Sequence, residues 1–81
     1  MQSEYVVKIN TIERVKNFAD VCNKYKCDID LMQGRYVIDA KSIMGIFSLD
    51  LTNNPIVKIH TEDIVTLVMF REEMSDFIVY D

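Results

Sequence analysis

The spacing of apolar residues changes period several times along the chain, and the order of those changes limits the fold more than any single residue does. Residues 4–10, EYVVKIN, are short and β-rich, the pattern of a first strand. Residues 10–26 then set Ile12, Val15, Phe18, Ala19, Cys22 and Tyr25 at three- and four-residue steps, which puts them on one face of a helix. Asn10 with Glu13 three residues later reads as a capping box, and Thr11 competes with Asn10 as N-cap. Lys24 and Lys26 fall near the predicted helix end, where positive charge suits the dipole. Period two then returns. Ile29 and Leu31 alternate with Asp28 and Asp30, Tyr36 and Ile38 alternate with Val37 and Asp39, and Gln33-Gly34 supplies the turn of a hairpin.

A short helix follows, built from Ile43, Met44, Ile46, Phe47 and Leu49, with Ser42 as its N-cap. Ile46 and Leu49 are its expected core members. Asn53-Asn54-Pro55 ends it, because the residue before proline is pushed out of the helical region. PIVKIHT predicts a fourth strand, and EDIVTLVMFREEM a last helix with Glu62 and Asp63 in its first turn. Ile64, Leu67, Val68 and Arg71 share a side of that helix, with Val65 and Met69 widening the arc. Its β-branched residues leave a strand open as the alternative. The tail SDFIVYD is apolar enough to pack back as a strand or an extended strap. The order β-α-β-β-α-β-α predicts an α+β fold, a single antiparallel sheet with helices on one face and a second face left to solvent or to a partner.

Eighty-one residues predict a single domain over residues 1–81. At 49% hydrophobic and 27% charged, the chain has enough apolar surface to offset chain entropy, which argues against disorder. No run approaches the roughly 20 apolar residues of a membrane span, and the N-terminus lacks the basic lead and apolar core of a secretory signal. A cytoplasmic protein is expected, with Cys22 and Cys27 as free thiols. Two cysteines and one histidine are too few for a zinc site. The net charge of −4 argues against nucleic acid as a partner. The one local basic cluster, Arg14, Lys16, Lys24 and Lys26, is interrupted by Glu13, Asp20 and Asp28. No nucleophile–base pair and no glycine-rich phosphate loop is present, so an enzyme is not expected, nor a cofactor or a metal.

The segment AKSIMGIFSL resembles the stretch around the regulatory serine of HPr, the phosphocarrier of the bacterial sugar phosphotransferase system. FADVCNKYKCDIDL is similar to that family's first helix and second strand, and the likeness runs from about residue 5 to about residue 74. It implies the HPr open-faced sandwich, a four-stranded antiparallel sheet with three helices on one face. Counting back from Tyr25, the family's active-site histidine falls at Thr11, its neighbouring arginine at Glu13 and its helix-start proline at Arg14. A threonine ester is too stable to hand phosphate on as the family's phosphoramidate does. Arg14 is the residue left to stand near the missing arginine and is expected among the partner-binding residues, and Glu13 would oppose a phosphate there.

Ser42 matches the regulatory serine, which in the family is phosphorylated by an ATP-dependent HPr kinase. Phosphate at a helix N-cap meets free N–H groups and adds about −2 of charge. Ile43, Met44 and Phe47 match the apolar patch by which HPr proteins meet enzyme I, the kinase and transcriptional regulators. The resemblance therefore implies a regulatory HPr paralogue, similar to the catabolite-repression HPr proteins, that binds proteins and uses Ser42 as a switch. The alternatives are a phosphocarrier whose acceptor has moved, with His60 as candidate, and an interaction module with no phosphorylation at all. A monomer or a weak homodimer is expected.

Overall fold

Every predicted change of period corresponds to an element in the computed structural model, which describes residues 2–80; Met1 and Asp81 lie outside the described residues. The elements are β1 (Glu4–Val6), α1 (Ile12–Cys22), β2 (Ile29–Gln33), β3 (Tyr36–Asp39), α2 (Ile43–Ile46), β4 (Ile56–Ile59) and α3 (Ile64–Met74). The four strands form one antiparallel sheet in the order β1-β4-β2-β3. The three helices cover one face of it. Gly34 takes a φ of +58° at the β2–β3 turn, a conformation that a side chain would disfavour.

Alternation decides what each strand buries. Tyr5, Ile29, Leu31, Val57 and Ile59 point under the helices and are buried. From above, α1 contributes Val15, Phe18, Ala19 and Cys22, and α3 contributes Leu67, Phe70 and Met74. Aromatic rings lock these layers together. Phe70 meets Tyr25 edge-on at 5.5 Å and lies 6.4 Å from Tyr5 on β1. Phe77 meets Phe18 edge-on, also at 5.5 Å.

The tail packs back as a strap with one strand-like bridge. Ile78 pairs with Val7, the Lys8 N–H donates to the Phe77 carbonyl at 2.8 Å, and the Val79 N–H donates to the Val6 carbonyl at 2.8 Å. β1 thus lies between β4 and the strap.

Four expectations need correction. The first helix stops at Cys22 rather than continuing to Lys26. Asn23 ends it by turning both its backbone N–H and its side-chain Nδ2 onto the Ala19 carbonyl. Lys24 and Lys26 therefore lie beyond the helix, and Lys24 pairs with Glu73 at 2.9 Å instead. At the start of α1, Thr11 and not Asn10 is the N-cap, its hydroxyl accepting from the Arg14 N–H at 3.1 Å, and Ile12 is 65% exposed rather than in the core. The short helix ends at Ile46, although Leu49 is still buried by the turn that follows. In α3 the buried side is Leu67, Phe70 and Met74, while Ile64, Val65 and Met69 face solvent. Phe70 sets that rotation by seating between Tyr5 and Tyr25.

Glu73 of α3 ties the end of α1 to α3 by accepting the Tyr25 hydroxyl and the Lys24 ammonium. The Tyr25 hydrogen bond, helped by Lys24, holds the Glu73 carboxyl below its usual value of 4.5. The group binds its proton less readily folded than unfolded, so its contribution is present above about pH 4.5 and is lost as pH falls. Tm should therefore fall as pH drops below about 4.5, and Glu73→Gln should lower Tm at neutral pH and reduce that acid dependence.

Candidate functional site

The candidate residues gather at the starts of α1 and α2 and on the exposed side of α2. Ser42 caps α2: its backbone is extended, at φ −100° and ψ 109°, and its Oγ accepts from the Gly45 N–H at 3.1 Å. Gly45 makes room for this. A Cβ there would lie 3.3 Å from the Ser42 Oγ and 3.5 Å from Ile38 Cδ1. The Ser42 side chain is half-buried, on the rim of the patch that follows it.

The segment divides into the core members expected from the residues and the exposed ones implied by the family resemblance. Ile46 is fully buried and Leu49 nearly so, whereas Met44 is 81% exposed and Phe47 42%. Ile43 lies at the edge between the two sets. Met44 and the exposed part of Phe47 thus present flexible and aromatic surface to solvent, a composition suited to contact with proteins.

Two amide side chains, for which the sequence suggests no such role, fix this segment in place. Asn23 at the end of α1 donates to the Lys41 carbonyl at 3.1 Å, just ahead of Ser42. Gln33 at the end of β2 donates to the Asp50 and Asn53 carbonyls at 2.6 and 3.0 Å and accepts from the Asp50 N–H at 2.9 Å. The Lys41 ammonium is spent on the Tyr25 carbonyl at 2.7 Å, so it does not reach out beside Ser42. Nothing in the spacing of Asn23 or Gln33 marks them, because their partners are carbonyls on segments distant in sequence.

Arg14 stands in the first turn of α1. Its Nε donates to the Lys8 carbonyl at 2.9 Å and its Nη2 to the Asp76 carbonyl at 2.8 Å. The guanidinium also lies over the Phe77 ring, 5.2 Å from its centroid. In this arrangement Arg14 joins β1, α1 and the strap.

His60 follows β4 at the end of the sheet where β1 begins, since the Ile59 N–H donates to the Ser3 carbonyl. Thr11 follows the other end of β1, so the two sit at opposite ends of the sheet. The His60 Nε2 contacts Asp30 Oδ2 at 2.7 Å. Cys22 is fully buried, and burial pushes its thiol up to about 12, with nearby Lys41 pulling the other way. Cys27 is half-buried, and both cysteines are free. Among the described residues no group of three or more His, Cys, Asp or Glu side chains gathers as metal ligands do. Nor is any helix among them long and apolar enough to cross a membrane.

A sequence model of the family described as "PTS HPr component phosphorylation site" matches residues 14–65, well over half of the chain. The chain belongs to the HPr family. Among solved structures it is similar to the one described as "Crystal structure of HPr-C-His from Thermoanaerobacter tengcongensis". The two are 18% identical and share 93% of this chain and 92% of that one, with a TM-score of 0.69, a likeness of fold. No curated protein sequence matches the chain. HPr proteins are the phosphocarriers of the sugar phosphotransferase system. The matched stretch contains Ser42 and the α2 patch and begins beyond Thr11.

Two outcomes test this geometry. Ser42→Ala should cost about 1 kcal/mol, measured by urea unfolding, and Ser42→Gly only a few tenths. Arg14→Met should free the strap: hydrogen exchange at the Lys8 and Val79 amides, which bond across β1 and the strap, should accelerate at least tenfold while that of β2 and β4 is little changed.

Proposed function

We propose that this chain is a regulatory member of the HPr family, a protein-binding module that no longer carries phosphate on a histidine and is switched at Ser42. The observation that supports it most is the place of the chain's one histidine. His60 lies at the opposite end of the sheet from the start of α1 and is engaged with Asp30. At the start of α1 stands Thr11, with its hydroxyl used as a helix cap. A phosphate arriving there would find no imidazole. It would also meet Glu13 in the first turn of α1, with Arg14 already committed to backbone carbonyls.

The α2 segment carries the opposite argument. Its serine keeps the N-cap position, and the exposed side chains after it form a contact surface that a charge at Ser42 would border. Phosphorylation would add about −2 of charge at the rim of that patch and leave its apolar residues in place, so the modification would select among partners rather than unfold the site. The partners this reading supports are an HPr kinase, enzyme I or a transcriptional regulator. The protein acts by binding, not as an enzyme.

Intact mass after two treatments tests the reading. HPr kinase with ATP should add a single phosphate, absent in Ser42→Ala. Enzyme I with phosphoenolpyruvate should add none. Phosphate from enzyme I that disappears in His60→Ala would replace this reading with a phosphocarrier whose acceptor has moved. No phosphate from either would leave an interaction module without the switch.

A further inference from the structure

The open face of the sheet is ordered by register. Val6 pairs with Ile56, Ile56 with Met32 and Met32 with Val37, so one unbroken apolar row crosses all four strands on the face away from the helices. Val37 is 59% exposed, Val6 42% and Ile56 38%, with Met32 half-buried. The register step on one side of this row is Glu4, Lys58, Asp30 and Asp39, three carboxylates to one ammonium, with Lys58 3.6 Å from Glu4 and His60 against Asp30 at 2.7 Å. On the other side β1 runs on to Lys8, and the β2–β3 turn carries Arg35, both exposed. The face therefore grades from acidic through apolar to basic along the strand direction.

Such a gradient complements itself. We propose that two copies of this chain associate through their open sheet faces, apolar row on apolar row, about a two-fold axis running along the row. That rotation lays each strand over its own counterpart running the opposite way. It brings Lys8 of one copy over Glu4 of the other, and Arg35 over the Asp30 and Asp39 edge, twice per dimer. Any other face-to-face two-fold either sets acid on acid or slides the apolar rows apart. Packing two sheets nearly aligned is a standard solution to an apolar sheet face. The row spans about 14 Å across four strands, about 19 Å with the strap. A face of that size falls below the usual 800 Å² or so per partner, so the dimer is a weak one. This inference does not depend on the role proposed for Ser42.

Sedimentation equilibrium from about 10 µM to 1 mM tests it, together with amide chemical shifts on dilution. The average mass should rise from the 9.5 kDa of one chain towards twice that value. The concentration-dependent shifts should fall on Val6, Met32, Val37 and Ile56. Ile56→Lys, on an inner strand, and Val37→Lys should each weaken association at least tenfold. Both positions are solvent-exposed, and far-UV circular dichroism and Tm report whether the variants still fold. Lys8→Glu should weaken association several-fold, and adding Glu4→Lys should restore it. A mass fixed at 9.5 kDa up to 1 mM would overturn the proposal. So would a dimer that survives Ile56→Lys but is lost with Met44→Lys or Val65→Lys, since α2 or α3 would then be the contact.

Discussion

Phe70 is the side chain on which the layers depend. It stands in the middle of α3, touches Tyr5 from β1 and Tyr25 from beyond α1, and is fully buried. A helix as apolar as α3 has several sides it could bury, and the Phe70 seat selects one. Once that side is chosen, Leu67 and Met74 go inward, Glu73 comes within reach of Tyr25 and Lys24, and Thr61 and Met69 border the open hollow beside Cys27. The sheet beneath is then held on one face only, and its other face keeps whatever the alternation of each strand leaves there.

Where contrast along the chain was strong, the fold was legible in advance. Ser42 is a residue type that favours N-caps, and it caps α2 as expected. Ile46 and Leu49 are buried as the residue pattern leads one to expect, whereas the exposure of Met44 and Phe47 is implied by the family resemblance and not by spacing. Contrast fails in α3, where Ile64, Val65, Val68 and Met69 are as apolar as the residues that pack, so periodicity gives no direction. It fails again for Arg14, whose partners are backbone carbonyls, one of them 62 residues away. The apolar row on the open face was hidden for a different reason. Val6, Met32, Val37 and Ile56 become neighbours only through the order β1-β4-β2-β3, and no local pattern carries that order.

The candidate site rests on a frame rather than on its own helix. Four residues of α2 would not hold a helical shape alone. Asn23 fixes the chain just before Ser42, and Gln33 fixes the loop after Leu49 with three hydrogen bonds. The patch between these two anchors has little freedom of its own, so a partner meeting Met44 and Phe47 would not have to order them first. A change of charge at Ser42 would likewise act on a surface whose backbone is already set.

The position of β1 has a consequence for how the molecule comes into being. Its neighbours are β4, whose Ile56 pairs with Val6, and the strap, whose Ile78 pairs with Val7 across 71 residues of sequence (78 − 7). β1 is thus made well before the segments it pairs with. Until β4 and the strap have been made, Tyr5 and Val7 lie on a segment with no edge to join, while the β2–β3 hairpin can already close on itself. Non-local closure of this kind slows folding relative to locally wired helical domains. The nascent chain thus passes through an interval in which Tyr5 and Val7 await the segments that will cover them.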